Sequence, residues 1–152
     1  MSDNKPISIP YKRMPDTYSI GKRYELELAR KLYKLGFAVI RAPASGKRTK
    51  RISYPDIVAI KNGKILVISV KYRSKLSTVY IGEDEFGKMI DFASRSGGTM
   101  IVAIKVKELG DWRIIPLSTI TSTSSTEKLS ISVETIRKAK TLEEWLKESN
   151  LL

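Results

Sequence analysis

The stretch that most constrains the fold is Tyr54–Arg73, in which two runs rich in β-branched residues flank the dipeptide Asn62-Gly63. This dipeptide favours a two-residue type I′ turn, because both central residues of that turn take positive φ. Such a turn fixes the pairing register of the two strands of a hairpin. The spacing therefore predicts a β-hairpin in which Asp56 faces Ser69.

Three polar side chains meet at the open end of this otherwise apolar hairpin. Directly opposed residues share a face and side chains alternate with period two, so Lys71 joins Asp56 and Ser69. Both strands are apolar on both faces, which predicts a hairpin in the middle of a sheet that is covered on each side. Charges in such a place are costly unless they are paired or bind something. Two interpretations stay open: a structural Asp56–Lys71 ion pair, and a functional site.

Composition limits the chemistry that such a site can perform. The 152 residues include no His and no Cys, which excludes disulfides, thiolate metal sites, and the usual general base and zinc ligand. Any metal must then be a hard cation held by oxygen, such as Mg²⁺ or Mn²⁺. No apolar run approaches the ~20 residues that span a bilayer, and the N-terminus lacks the apolar core of a signal peptide. We expect a cytoplasmic protein that makes no membrane contact.

Positive charge is concentrated in one half of the chain. Residues 1–80 hold 18 Lys and Arg against 5 Asp and Glu, whereas residues 81–152 hold 10 against 11. A field of that size suggests a polyanionic partner, most often a nucleic acid. A Lys-rich surface that favours solubility would explain the high charge, but it would not explain the confinement to one half.

Periodicity and turn residues predict the remaining elements. The first 18 residues are predicted to be a flexible basic arm, and residues 19–152 a single domain. Ser19 is the expected N-cap of a first helix that ends at Gly36. Further predictions are a strand at Phe37–Arg41, a loop at Ala42–Gly46 followed by four cations, a helix at Gly82–Ser96, antiparallel strands at Thr99–Val106 and Trp112–Pro116, a surface loop or frayed edge at Ser118–Thr126, and a capping box at Thr141–Glu144. Ile131 to Ile136 receives no assignment.

This order of elements, with acids and a lysine at the strand ends, resembles the PD-(D/E)xK nuclease core. The resemblance is closest to the archaeal Holliday junction-resolving endonucleases and covers roughly residues 19–116. The matching stretches are Gly21-(x)3-Glu25, Gly36–Gly46, Pro55-Asp56-Ile57-Val58-Ala59 with Asn62-Gly63, Ser69-Val70-Lys71, and Tyr80–Gly98. The implied fold is α/β: a restriction-endonuclease-like core with a mixed central β-sheet flanked by helices.

The resemblance also implies roles for individual residues. Glu25 and Asp56 would be Mg²⁺ ligands together with the main-chain carbonyl of Val70. Lys71 would position or activate the attacking water, and Ser45 would act on the scissile phosphate. These roles suit phosphodiester hydrolysis, in which a cation offsets charge on the transferring phosphate and lowers the pKa of water.

Ser69 departs from the family pattern, which places Glu or Asp there as a direct metal ligand. A carboxylate that has moved would account for this, as in type II restriction enzymes with Ser-x-Lys on the strand and an acid on the next helix. Glu85 follows Lys71 with thirteen residues between them, and Glu83 and Asp84 compete for the role. Two alternatives stay open: a protein that binds junctions without cutting them, and a residue that was changed deliberately.

We therefore expect a homodimeric, Mg²⁺-dependent endonuclease, with Mn²⁺ as a possible substitute, that resolves four-way DNA junctions. Two rivals remain: a non-cleaving junction-binding paralogue, and another repair or restriction-type nuclease on the same core. The expected catalytic residues are Lys71, Ser45 and Ser69, and the expected metal ligands are Glu25, Asp56, Val70 and Glu85. The expected DNA-binding residues are Arg41, Lys47, Arg48, Lys50, Arg51, Arg73 and Lys75.

Overall fold

Two β-sheets and four α-helices make up the described part of the chain. A computed structural model describes residues 17–42, 52, 54–122 and 128–152. The helices are α1 (Thr17–Lys34), α2 (Glu83–Ser96), α3 (Val133–Lys138) and α4 (Leu142–Glu148), with a 3-10 turn at Leu117–Thr119. The strands are β1 (Ala38–Arg41), β2 (Ile57–Lys61), β3 (Lys64–Arg73), β4 (Val79–Gly82), β5 (Thr99–Val106), β6 (Trp112–Pro116), β7 (Thr121–Ser122), β8 (Lys128–Ile131) and β9 (Lys140–Thr141).

The main sheet has six strands in the order β1-β2-β3-β5-β6-β9. The β3–β5 pair is parallel and the other pairs are antiparallel, so the sheet is mixed, as the sequence predicted. The parallel pair requires a crossover, and β4 with α2 supplies it. The hairpin β2–β3 lies inside the sheet, which confirms that both of its strands have hydrogen-bonded neighbours.

The turn of this hairpin has the predicted geometry. Asn62 and Gly63 have φ values of 51° and 77°, and the register pairs Ile60 with Ile65. The ladder continues to Ile57 opposite Ile68, so the next position towards the open end pairs Asp56 with Ser69. The two-residue turn thus sets the alignment of the polar cluster from about 20 Å away, given ~3.4 Å per residue.

Helices cover the sheet on both faces. One face packs against α1 and α4 in a cluster that includes Leu28, Leu32, Ile68, Trp112 and Leu146. The opposite face packs against α2, the second sheet and α3. Its buried members are Val67, Met89, Met100, Val79, Ile81, Val102, Ile104, Val106, Ile115, Ile131 and Ile136. Because residues alternate along β3, Ser69 and Lys71 belong to the α2 face and Val70 to the α1 face.

The start of α1 differs from the prediction. The helix begins at Thr17, so Ser19 lies in its first turn and is not the N-cap. Thr17 and Tyr18 carry no helix-breaking feature, and the helix extends back through them. Residues 1–16 of the predicted basic arm lie outside the described residues.

A second sheet, with the strand order β4-β8-β7, was not predicted. Its β4–β8 pair joins residues about fifty positions apart, such as Val79 with Ile131, whereas β7 and β8 are close in sequence. The segment Ser118–Thr126, predicted as a surface loop or frayed edge, contributes part of a 3-10 turn and the short outer strand β7, and its residues from 123 onward lie outside the described residues. Ser and Thr carry weak local signals, and pairing with β8 decides the conformation. The unassigned residues after Ile131 form α3, which Ser132 caps through its bond from the Thr135 N–H.

The C-terminal capping box is confirmed. The Thr141 hydroxyl accepts a hydrogen bond from the Glu144 N–H at 3.3 Å and opens α4. Nowhere in the described ranges is a helix both long and apolar enough to cross a lipid bilayer.

Candidate active site

Asp56 lies one residue before β2, at the open end of the hairpin. Its Oδ2 accepts a hydrogen bond from the Val70 N–H at 2.8 Å. Burial raises the pKa of Asp56, and the negative charge of Glu85 raises it further. The Val70 N–H and the positive charge of Lys71 act in the opposite direction. The half-buried carboxylate is thus held in a fixed direction beside other charges.

Glu85, in the first turn of α2, reaches across to β3. Its Oε1 accepts a hydrogen bond from the Ser69 hydroxyl at 3.0 Å, and its Oε2 accepts one from Lys71 Nζ at 2.9 Å. Ser69 is 2% exposed, and within the described ranges it is the only polar side chain that is buried. The Glu85 carboxylate therefore occupies the space directly above the serine that interrupts the Asp56–Lys71 motif.

Lys71 pairs with Glu85 in this structure, although the sequence left open a pair with Asp56. Glu83 and Asp84, which precede Glu85 in the first turn of α2, are exposed. Asp84 lines the same cavity as Asp56, Ser69 and Glu85. Neither Glu83 nor Asp84 shows a hydrogen bond to Ser69 or Lys71 among the described contacts. Of the three candidate acids, Glu85 is the one whose carboxylate contacts the β3 cluster.

Glu25 enters the same region from α1. Burial raises its pKa to about 7, and the negative charge of Asp56 is the next largest cause. The positive charges of Arg41 and Lys22 oppose this shift. Arg41 pairs with Ile57, the residue after Asp56, and therefore lies beside the site. Two acids held together against their mutual repulsion form a position where a cation would be stabilised.

A preassembled metal cage is absent from the described residues, where no group of three or more acids is arranged to hold an ion. The donor chemistry nevertheless fits a hard cation, because Glu25 and Asp56 supply adjacent carboxylates and no softer donor competes. A third carboxylate, Glu85, hydrogen-bonds two β3 side chains. An ionised carboxylate has about four acceptor positions, so Glu85 could keep both bonds and still offer an oxygen to a cation.

The predicted phosphate-contact loop falls outside the described residues, and with it Ser45, Lys47, Arg48, Lys50 and Arg51. The remaining predicted residues lie on or next to β3. Val70 is half-buried in the strand, Arg73 donates a hydrogen bond to the Tyr72 carbonyl at 2.7 Å, and Lys75 is exposed beyond the strand.

An aromatic contact beside the site was missed from the sequence. Tyr24, next to Glu25, stacks on Tyr72, next to Lys71, with ring centroids 3.9 Å apart and planes 9° from parallel. Trp112 meets Tyr24 edge-on at 6.5 Å. The stack joins α1 to β3 where each carries a site residue. No local signal in the sequence identifies Tyr72 as the partner of Tyr24.

We expect the metal-free protein to lose stability as pH rises from about 4.5 to about 7 through Glu25. The ordinary pKa of its carboxyl is 4.5 and the folded value is about 7, so the folded state binds this proton more tightly. The contribution of Glu25 to the free energy of unfolding is therefore greatest below the unfolded pKa, and it decreases as pH rises through the folded pKa. The loss is on the order of 1 kcal/mol after allowance for solvent screening of a half-exposed group.

Urea unfolding in EDTA at pH 5 and pH 8 measures this effect. The Glu25→Gln variant is the control, because it cannot titrate and should show a smaller decrease between the two pH values. An equal decrease in the free energy of unfolding in both proteins would contradict the assignment of the raised pKa to Glu25.

Comparison with known proteins adds an independent observation. The family model described as archaeal Holliday junction resolvase (Hjc) matches residues 16–151. The crossover junction endodeoxyribonuclease Hjc of Sulfurisphaera tokodaii is 35% identical over 131 residues, which are 86% of this chain and 88% of that protein. The Hjc protein of Archaeoglobus fulgidus is 36% identical over 115 residues, covering 76% of this chain and 82% of the relative.

A solved structure also resembles the fold. The structure of Archaeoglobus fulgidus Hjc, a Holliday junction resolvase from an archaeal hyperthermophile, superposes with a TM-score of 0.72 at 30% identity. The alignment covers 83% of this chain and 98% of that one.

Proposed function

The chain belongs to the archaeal Holliday junction resolvase (Hjc) family, and from this premise we propose that it is a metal-dependent endonuclease that cuts four-way DNA junctions. The observation that carries the proposal is the meeting of Glu25, Asp56, Glu85 and Lys71 at one end of the hairpin. The uneven positive charge of the chain supports a DNA substrate.

Glu25 and Asp56 would hold the cation, which we take to be Mg²⁺ with Mn²⁺ as a substitute, and the Val70 carbonyl would complete that side. When bound, the cation offsets negative charge on the transferring phosphate and lowers the pKa of a bound water. Burial and crowding make the two carboxyls poor sites for ionisation without a cation, so binding relieves the repulsion that raises their pKa.

Lys71 and Glu85 would act on the nucleophile side. The Lys71 ammonium has three donors and gives one to Glu85, so two remain to orient a water and a phosphate oxygen. Glu85 supplies the carboxylate that other family members are expected to place at the Ser69 position. Ser69 then orients Glu85 through its hydroxyl and does not bind metal directly.

A homodimer follows from the substrate. Resolution needs cuts on two strands related by symmetry, and one chain offers one such site, so two copies would supply the pair. The proposal also includes a surface through which the two copies associate, a loop around Ser45 that contacts the scissile phosphate, and a cytoplasmic location.

Cleavage of a synthetic four-way junction tests the proposal directly. With Mg²⁺ present, the wild-type protein should cut the junction and leave a linear duplex of the same sequence intact, and EDTA should stop the reaction. Junction binding without any cutting would favour the non-cleaving paralogue. Equal cutting of the linear duplex would identify a different kind of nuclease.

The loop cations should dominate the salt dependence of junction binding. Four residues are changed together to Gln: Lys47, Arg48, Lys50 and Arg51. If each contacts one phosphate, the slope of log K against log salt should fall by about 3.6, since one contact to duplex DNA contributes about 0.9.

A matched set of exposed C-terminal cations serves as the control: Lys107, Arg137, Lys138 and Lys147. Their replacement by Gln makes the same change in net charge and should leave the slope nearly unchanged. Equal losses in the two variants would show that the loop makes no specific phosphate contacts.

A further inference from the structure

A groove between α1 and β1 adjoins the active site and takes no part in the proposed metal chemistry. Its walls include Arg30, Tyr33 and Lys34 from the helix, and Val39 and Arg41 from the strand. Val39 packs towards the α1 core cluster, and Arg41 shares its face because strand residues alternate. The groove is therefore a cleft between two packed elements, with cationic side chains along it.

The exposed side chains of this groove make little contribution to the packing of the fold. Tyr33 is 72% exposed, the largest exposure among the large hydrophobic residues of the described part of the chain. Arg30 and Lys34 flank it on the helix, and neither takes part in the ion pairs formed within the described ranges. An exposed aromatic ring between two cations is the arrangement that proteins use to hold single nucleic acid strands.

The groove leads to the catalytic carboxylates. Arg41 pairs with Ile57, the residue that follows Asp56, so this end of the groove lies beside the proposed metal-binding acids. The nine-residue step from Glu25 to Lys34 corresponds to about 13 Å along the helix. At ~3.4 Å per nucleotide of one DNA strand, this length accommodates about four nucleotides.

We propose that the groove between α1 and β1 binds the DNA strand that continues from the scissile phosphate. Arg30, Lys34 and Arg41 contact its phosphates, and Tyr33 stacks on one base that has left the helical stack near the crossover. This inference rests on the proposed junction-cutting function and adds a strand-binding surface to it. Stacking on an aromatic ring tolerates any base, so the groove would recognise the opened strand and not its sequence.

Fluorescence of 2-aminopurine tests the stacking contact. The base analogue is placed in turn at each of the four nucleotides on either side of the mapped cut, and the junction is titrated with protein in EDTA. Wild type and Tyr33→Phe should change the signal at one position, because both keep the ring. Tyr33→Ala should lose that change and weaken junction binding about 5- to 150-fold.

Tyr80→Ala is the matched control, since Tyr80 is 57% exposed on β4 in the second sheet. It should behave like the wild type. If Tyr33→Ala matches Tyr80→Ala in both signal and affinity, the stacking role is overturned. If Tyr33→Phe is as defective as Tyr33→Ala, the hydroxyl and not the ring is responsible, which also overturns it.

A charge test addresses the phosphate contacts. Arg30→Gln with Lys34→Gln should lower the log–log salt slope of binding to single-stranded DNA by about 1.4, at about 0.7 per contact. Lys107→Gln with Lys147→Gln removes the same charge from an exposed surface elsewhere and should not change the slope. Equal slopes in the two double variants would overturn the groove as a strand site.

Wild-type cleavage separates this inference from the proposed function. If the wild type cuts junctions and the groove variants bind and cut as it does, the strand-binding role of the groove is overturned and the proposed endonuclease function stands. If the wild type neither binds nor cuts junctions, both proposals are overturned.

Discussion

Replacing Asp56 by asparagine should abolish junction cleavage, with a loss of about a thousandfold or more. The expected size follows from the charge stabilisation that a bound cation gives to phosphoryl transfer, which is worth several kcal/mol. An asparagine oxygen can still accept the Val70 N–H that Asp56 accepts at 2.8 Å, so the local fold should survive. Junction binding should remain nearly unchanged, because in the proposed site Asp56 would face the cation and would supply no contact to DNA.

The same substitution should leave metal-free stability equal to or above that of the wild type. Burial and the charge of Glu85 raise the pKa of Asp56, which means that its ionised form is disfavoured in the folded state. A neutral amide removes that cost. Single-turnover cleavage and urea unfolding on the same preparations measure both effects.

Asp91→Asn provides the control, since Asp91 is an exposed acid of α2 paired with Arg95. It should cut junctions at the wild-type rate. Unfolding of Asp56→Asn would instead favour a purely structural carboxylate, because removing one partner of a buried pair typically costs ~3–5 kcal/mol.

Replacing Glu85 by alanine should remove cleavage as completely as Asp56→Asn. This acid accepts hydrogen bonds from both Ser69 and Lys71, and we propose that it replaces the carboxylate that the family resemblance implies at position 69. The Glu85–Lys71 pair is partly exposed, so its loss should change stability by about 0–1 kcal/mol, and the buried Ser69 hydroxyl left without its acceptor should cost about 1–3 kcal/mol more. Loss of cleavage in a protein that is still folded separates a chemical role from a structural one.

Glu85→Gln distinguishes two chemical roles. The amide can still accept a hydrogen bond from Lys71, so cleavage should persist if Glu85 only positions that lysine. If Glu85 binds the cation, the loss of its negative charge should stop cleavage as alanine does, and this second result is the one we expect. Glu83→Ala and Asp84→Ala are the controls, and both should cut normally because neither acid forms a hydrogen bond with Ser69 or Lys71 in the described structure.

Local signals predicted the central part of the fold well. The turn at Asn62-Gly63 fixes its own register, since positive φ at both residues leaves one two-residue hairpin geometry. The strands Thr99–Val106 and Trp112–Pro116 were also predicted with their observed bounds, because each is a short apolar run bounded by Gly or Pro. Pairing within a hairpin depends on nearby residues, which is why these elements could be assigned from sequence.

The parts that were missed depend on contacts distant in sequence. Residues Val79–Gly82 show no strand signal beyond their β-branched members, and they become β4 by pairing with β8 across about fifty positions. The side chain of Lys61 is a second example. Its Nζ donates hydrogen bonds to the carbonyls of Leu35 and Leu151, at 2.9 and 2.8 Å, and so joins the hairpin turn to the end of α1 and the C-terminus. No local pattern specifies such a contact.

The candidate site lies between these two cases. Asp56, Ser69 and Lys71 follow from hairpin register alone, whereas Glu25 and Glu85 came from resemblance and spacing. The structure adds the bonds that join Glu85 to β3, which spacing cannot supply, because thirteen residues fit many paths from a strand to the next helix.

Exchanging the carboxylate between its two positions is the measurement that tests the role of Glu85 most directly. Junction cleavage is compared for the wild type, Glu85→Ala, Ser69→Glu, and the double variant that carries both changes. We expect the wild type to cut, Glu85→Ala to be inactive, and the double variant to recover part of the wild-type rate, because either position can offer one carboxylate to the same cation. An inactive wild type that begins to cut with Ser69→Glu alone would contradict this role and show that Ser69 disables the site.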